Sequence, residues 1–415
     1  MRLSRLFAIT SVVITAACSD PNAPSPGTPR ITALPRALTS GEATVVAASN
    51  TFGFNLLREL DRSRADSNIF MSPLSASMAL GMTMNGAGGQ TFDEMRAALA
   101  FGDASSADIN AAYRSLIDML RSLDRTVDFR IANSIWYRAG FPFEPAFLDE
   151  SRQFFDARVA ALDFASATAA PTINDWVNAS TNGKIDRIVD GPISDDVVMY
   201  LINAIYFNGT WTTRFDRRQT RPEPFNTIDG TIAPIAMMRR TDTVRVAETA
   251  TAQIVDLTYG GDAFAMTILL PKPGHSITDA VASLDGSSWQ SAVAGLTSRS
   301  IELQMPKFTL RWEALLNDPL ETLGMRRAFQ GGLADFSRMS RSAGDRLYIS
   351  RVKQKAFVDV HEEGTEAAAV TSVEIRVTCA CGPQVIRIDR PFVFAIRERL
   401  SGTILFLGKI VRPPV

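Results

Sequence analysis

The sequence predicts one large α+β domain, and three observations carry that prediction. Runs of apolar strand formers, Val197 to Trp211, Phe264 to Leu270 and Phe392 to Ile396, read as buried β-strands. Segments with apolar residues at helical spacing, such as Val45, Phe52, Leu56, Leu57 and Leu60 within Val45 to Arg62, read as amphipathic helices. Between strand patterns lies Phe357 to Pro383, FVDVHEEGTEAAAVTSVEIRVTCACGP, which starts as a strand and then carries no aromatic residue and no leucine after Gly364. A segment this poor in large apolar groups cannot anchor itself in a core and is expected to be exposed. Its Val, Ile and Thr residues nevertheless favour an extended strand. Thr365, Ala367, Ala369 and Thr371, spaced by two, would form one smooth face if the segment entered a sheet.

The 415 residues, 46% of them apolar, are ample for a large core. No internal repeat divides them. The net charge of −1 gives no general attraction to nucleic acid or to an anionic membrane. Only three cysteines (Cys18, Cys379, Cys381) and two histidines (His275, His361) occur, which excludes a disulfide framework and a Cys/His zinc site. Nucleophilic hydrolysis usually needs a histidine base. His275 lies in a PKPGHS turn and His361 beside a glutamate pair, and neither belongs to a G-x-S-x-G or H-E-x-x-H pattern. Carboxylate pairs stay open among the many acids. No cofactor or metal is called for.

Residues 1–17 read as an export signal, with Arg2 and Arg5, an apolar Leu6 to Ile14 and a small-residue Ala16-Ala17. Cys18 follows directly, in a pattern that resembles a bacterial lipoprotein signal with Cys18 as the lipidated N-terminus. Thr15 departs from the commoner aliphatic residue of that pattern. Ser19 after the cysteine favours outer-membrane or cell-surface placement; without lipidation the protein would be periplasmic or extracellular. Five prolines between Asp20 and Gly41 make residues 18–43 a stalk, leaving 44–415 as the folded domain.

Within that domain Ser72-Pro73 opens a buried helix containing Met78, Leu80, Met82 and Met84. The glycines at 86, 88 and 89 read as a turn, and Thr91 with Glu94 as a capping box for a helix ending near Gly102. A further helix is expected after Thr172, with Asp175 as its capping acid and a stop at Asn182-Gly183. Val197 to Trp211 reads as a strand buried on both faces, so Asn203 at its middle must find partners. In IELQMPKFTL, residues 301–310, the apolar phase shifts across Pro306, which reads as a bulge or bend. Ser401-Gly402 joins the last two strands into a buried hairpin.

Glu362-Glu363 followed by GTEAAAVT resembles the hinge of the reactive-centre loop in the serpin family. NIFMSPLSASMALGMTMNGAGGQTFDEM, residues 68–95, and the segments at 132–164 and 197–211 resemble the same family in the same order. The resemblance runs from about Val45 to Pro413. It implies an α+β serpin fold: a large central, mostly antiparallel sheet with two smaller sheets, about eight to nine helices and an exposed reactive-centre loop at about 362–383. It implies a monomeric inhibitor that acts as a suicide substrate. A protease cuts the loop and forms an acyl-enzyme, and the cut loop enters the main sheet and distorts the trapped protease. Such strand addition by the cut loop is a known behaviour of serpins and is expected of this chain through the resemblance.

Several roles follow from the resemblance alone. Ser72, Ser75 and Asn203 match a "shutter" beneath the opening of the main sheet, with Gln354 where the family usually has histidine. Lys307 is expected to pair with Glu362, with Trp211 at the same "breach". The hinge comprises Glu362, Glu363, Gly364, Thr365, Glu366, Ala367, Ala368, Ala369, Val370 and Thr371. Counting along the family's loop places the reactive bond at Thr378-Cys379, with Val377, Ala380 and Cys381 as alternatives. Small uncharged residues there suit a serine protease of elastase-like or subtilisin-like preference. A cysteine protease, or a non-inhibitory surface binding protein, is the alternative.

Overall fold

The computed structural model describes residues 29–365 and 383–414. In chain order the elements are α1 (Ser40–Ser63), β1 (Ile69–Met71), α2 (Pro73–Asn85), α3 (Gly89–Ala98), α4 (Ser106–Leu123), β2 (Val127–Arg138), α5 (Pro145–Phe155), β3 (Arg158–Leu162), α6 (Ala169–Ser180) and β4 (Met199–Thr210). There follow β5 (Arg221–Asn226), β6 (Ile232–Glu248), β7 (Ala252–Tyr259), β8 (Phe264–Pro271), α7 (Ile277–Ser283), α8 (Gly286–Ala294), β9 (Thr297–Pro306), β10 (Phe308–Leu315) and α9 (Asn317–Thr322). The chain closes with β11 (Lys353–His361), β12 (Gly364–Thr365), β13 (Gln384–Arg387), β14 (Phe392–Glu398) and β15 (Ile404–Ile410).

One sheet has the order β10-β11-β12-β4-β2-β3, antiparallel except between β2 and β3. The two smaller sheets expected from the sequence run together, because β6 is 17 residues long and belongs to both. Its first part pairs with β5 and β9, and its last four residues pair with β7. The result is one nine-stranded sheet. Its β14-β15 hairpin is buried along both strands, the charged Arg397, Glu398 and Lys409 included.

Helix α2 is buried nearly all round, and Ser72 caps it by accepting a bond from the Ser75 amide. Its tight seating under β4 and β15 places Ser72 and Ser75 at the sheet. Helix α6 lies over β2 and β4, packing Ile173 and Val177 against Trp136 and Ile202.

Several local expectations change. Helix α3 starts at Gly89 without a side-chain cap. The Thr91 hydroxyl instead accepts from the Asp335 amide, and Glu94 accepts from the Arg326 and Arg327 amides. Tertiary amides outcompete the local capping box. Helix α6 begins at Ala169, one turn before Thr172, because Ala169 and Ala170 are buried in the same cluster as Ile173. At Lys307 the chain leaves one sheet for the other, so the phase shift at Pro306 marks a change of sheet rather than a bulge. Strand β4 is not buried on both faces: every second residue from Met199 to Ile205 is half-buried.

Residues 29–43, placed in the stalk on proline content, pack on the domain. Thr39 and Glu42 form a capping box at the start of α1. Glu42 is fully buried under Arg36, whose hydrogen bonds, against the opposing effect of burial, hold the carboxyl at about 2. Ile31, Leu34 and Leu38 pack against the main core.

Candidate functional site

The site is the boundary between β11 and β4. At its upper end the hinge is already a strand. Thr365 pairs with Val360 of β11 on one side and with Gly209 of β4 on the other, and Gly364 pairs with His361 and Thr210. The Thr365 hydroxyl lies 2.7 Å from the Tyr259 hydroxyl, and both groups are buried. Tyr259 comes from the nine-stranded sheet, so this bond ties the hinge across the two layers. Burial pushes the Tyr259 phenol up, and it stays neutral.

Gly364 is required by close approach. A Cβ there would lie 2.2 Å from the Gly209 carbonyl oxygen and 2.7 Å from Thr210 Cα. Backbone cannot yield by that amount. Gly364→Ala is therefore expected to unseat Thr365, and proteinase K digestion of the hinge, which offers trypsin no lysine or arginine, should become faster than in the parent.

Around this short strand lie the residues of the expected breach. Lys307 Nζ is 3.0 Å from Glu362 Oε2, and Thr220 donates to Glu362 Oε1 at 2.8 Å. The turn is held by backbone bonds as well: Trp211 N donates to Glu363 O and Phe215 N to Glu362 O, both at 2.9 Å. Trp211 Nε1 donates to His361 O at 2.9 Å, and its ring stacks on Tyr259 with centroids 4.4 Å apart. Arg217 pairs with Glu363, and His361 Nδ1 lies 2.9 Å from Glu363 Oε2. Arg217, Thr220 and Tyr259 were not found from the sequence, since nothing local marks a residue whose partner lies more than 100 positions away.

Burial pushes both glutamate carboxyls up, but their hydrogen bonds and cations outweigh it. Thr220 and Lys307 hold Glu362 below its ordinary value of 4.5, and Arg217 and His361 do the same for Glu363. Both folded-state values are depressed, so the stabilisation is complete above the ordinary glutamate range and is lost as pH falls through the lower values. Thermal melts are expected to lose stability in that acid window, and the double variant Glu362→Gln, Glu363→Gln should show a smaller loss there. His361, Glu362 and Glu363 bring potential metal-ligand atoms within 4.8 Å of one another. Both carboxylates already face cations, Lys307 and Arg217, so the group reads as an ion-pair array.

Below Thr365 no β-ladder joins β4 directly to β11 among the described residues. A cavity of about 640 Å³ lies there, lined by Ser75, Tyr200, Asn203, Leu316, Met339 and Gln354 among others. This opening explains why β4 is half-buried.

Of the expected shutter residues, Ser75, Asn203 and Gln354 line that cavity and Ser72 is bonded to Gln354, and the four form two groups. Gln354 makes a two-point contact with the Ser72 backbone: its amide nitrogen donates to Ser72 O at 2.9 Å, and its oxygen accepts from Ser72 N at 3.2 Å. Ser72 Oγ donates to Leu405 O at 2.6 Å. Asn203 turns away to its cross-strand neighbour Asn133, whose own amide donates to Phe155 O at 2.6 Å. Only the Asn203 carbonyl reaches the first group, accepting from Ser75 Oγ at 3.4 Å. Among the described residues the Asn203 side-chain oxygen is buried without a partner. Gln354→Leu would leave the Ser72 amide unpaired and its carbonyl with the bond from the Ala76 amide alone, at a cost of roughly 1–3 kcal/mol. Denaturant unfolding should show a fall of that size in stability.

Glu366, Ala367, Ala368, Ala369, Val370 and Thr371 of the hinge lie outside the described residues. So do the reactive-bond candidates Val377, Thr378, Cys379, Ala380 and Cys381, and the lipidation candidate Cys18.

Residues 47–413 match the family model for serpins, serine protease inhibitors. The chain is a serpin. Iripin-2 of Ixodes ricinus is 33% identical over 383 residues, covering 89% of this chain and 94% of the relative. Among solved structures, the thermophilic serpin tengpin in its native state superposes with a TM-score of 0.81 at 29% identity, covering 91% of this serpin and 95% of tengpin. Human thyroxine-binding globulin in complex with its hormone gives a TM-score of 0.82 at 28% identity, covering 91% and 100%. Serpins inhibit proteases as a family and are not themselves proteases, and thyroxine-binding globulin shows that the same fold also binds a small ligand.

Proposed function

We propose that this serpin is an inhibitory member that traps a serine protease as a covalent acyl-enzyme. One observation carries the reading: Thr365 is seated between β11 and β4, and farther down the same boundary, between residues 199–204 of β4 and residues 353–355 of β11, the space is open. A cut loop continuing from Thr365 would add a strand there and pair with the free edges of both neighbours. The side chains next in line at inward positions, Ala367, Ala369 and Thr371, are small and uncharged. The protease supplies the nucleophile and the serpin supplies the free energy of strand insertion.

The cut is placed at Thr378-Cys379, with Val377, Ala380 and Cys381 as neighbouring alternatives. That favours an elastase-like or subtilisin-like target. The protein is further read as a lipoprotein, exported by residues 1–17 and anchored through Cys18 at the outer membrane or cell surface. Incubation with a panel of small-pocket and trypsin-like serine proteases and a papain-type cysteine protease tests the reading. A complex that survives boiling in detergent is expected with a small-pocket serine protease, and sequencing the released C-terminal peptide gives the cut site. Clean turnover of the loop by every protease, with no covalent complex, would instead favour the ligand-carrying use of the fold.

A further inference from the structure

The boundary below Thr365 is crossed by the turn that follows α6. Helix α6 itself is rooted on the β2-β4 side, where Ile173 and Val177 pack against Trp136 and Ile202. The turn is stiff: the Thr181 hydroxyl donates to Val177 O at 2.8 Å and accepts from the Ile185 amide at 3.1 Å. On the β4 side, Asn182 Nδ2 donates to the Tyr206 hydroxyl at 3.1 Å. Two residues on, the Lys184 carbonyl accepts from Arg311 Nη1 of β10 at 2.9 Å. Phe357 of β11 is the cross-strand partner of Arg311 and carries two cations on its ring. Lys184 Nζ lies 5.1 Å and Arg311 Cζ 4.8 Å from the ring centroid. Farther down, Lys353 lies 3.5 Å from Asp190, a second tie across the same boundary.

The place of the crossing gives it a role. Thr365 pairs with Gly209 and with Val360, so Tyr206 and Phe357 stand on the same rung, the third below it. Thr181, Lys184, Ile185, Tyr206 and Phe357 line one small cavity together with Thr365. A strand entering from Thr365 therefore meets the turn before it reaches the larger cavity, and the contacts on one side of the turn must give. Apolar packing holds the β4 side. The β10-β11 side has one hydrogen bond and two ring contacts, with Arg311 exposed and Phe357 half-buried, so that side yields. We infer that Arg311 and Phe357 form a clasp on the α6 turn and that this clasp sets how fast the cut loop inserts. Arg311 is a positioning residue: it holds the turn across the opening and lets go as the strand passes. A contact made before insertion and lost at its transition state raises the barrier by what it contributes. That rate decides the outcome, because insertion competes with hydrolysis of the acyl-enzyme. The inference rests on the reading that the cut loop enters below Thr365.

The test separates the clasp from the trapping of a protease. A fluorescent peptide with the sequence of residues 366–377 is mixed with the intact full-length chain, and its rise in anisotropy reports entry into the opening. Arg311→Ala and Phe357→Leu are each expected to speed entry about fivefold, equivalent to about 1 kcal/mol in the barrier. Because the two side chains act as one clasp, the double variant should gain little over either alone. Tyr206→Phe is the control: it removes the bond to Asn182 on the rooted side and should leave the rate within about twofold of the parent. Single variants that take up the peptide at the parent rate overturn the clasp. So does a double variant near ~25-fold, the product expected of two unrelated contacts, and so does a gain in Tyr206→Phe equal to that in Arg311→Ala. A peptide that enters no form, the parent included, overturns insertion at this site and the clasp with it. Peptide entry as expected, with no protease ever trapped, overturns the inhibitor reading alone.

Discussion

Protein cut in its reactive loop is expected to melt well above the intact chain. Among the described residues the facing edges of β4 and β11 have no ladder to each other below Thr365, and an added strand would satisfy both. A strand of about 12 residues between two neighbours forms on the order of 12 new backbone hydrogen bonds, each worth a net ~0.5–1.5 kcal/mol. Packing of small side chains against the cavity wall adds to this, and ordering the loop subtracts. A net gain on the order of 10 kcal/mol raises the melting temperature by roughly 20 °C or more, at about 2 °C per kcal/mol for a large domain. Calorimetry of intact and nicked material decides the matter. Nicked protein that melts at or below the intact temperature means that no strand enters.

Thr365→Arg is expected to turn the inhibitor into a substrate. Thr365 is buried, its hydroxyl faces the buried Tyr259 and its backbone is the first rung of the new strand. A guanidinium at that position loses its water, and the neighbouring acids are already engaged: Glu362 is held by Lys307 and Thr220, and Glu363 by Arg217. Burying an unpaired charge costs several kcal/mol. The arginine is expelled from this seat in the intact protein, so insertion must bury it again, and a penalty of about 3 kcal/mol in that step slows insertion roughly 100-fold. The acyl-enzyme then hydrolyses before the loop can enter. The expected readout is loop cleavage at an undiminished rate with nearly complete loss of covalent complex. Arginine at Ala367 or Ala369 is expected to act in the same way. Thr365→Val serves as the control: it removes only the bond to Tyr259, and most of the trapping should survive. If Thr365→Arg traps protease as well as the parent, insertion through this site is wrong.

Much of the site could be read from single residues, because its parts are local in sequence. The hinge pattern at 362–371, the apolar run around Asn203 and the Ser72-Pro73 helix start all show in short windows. Even the ion pair between Lys307 and Glu362 followed from matched positions, and the structure places the two 3.0 Å apart. The misreadings have one cause. Thr91 and Glu94 look like a capping box, yet amides from residues 326, 327 and 335 claim them. Residues 29–43 look like a stalk, yet Ile31, Leu34 and Leu38 have a core to pack on. Local pattern states what a segment can do, and a distant partner chooses among the options.

The amino-acid sequence alone determined the α+β class, the family and the small side chains of the hinge, because hydrophobic period and side-chain size act over a few residues. Only the tertiary structure decided that Thr365 already sits as a strand under Tyr259, that Asn203 turns to Asn133 rather than to Gln354, and that β4 and β11 stand apart below. Those outcomes depend on which surfaces meet across the two sheets, and contact between residues far apart in the chain leaves no period in it to read.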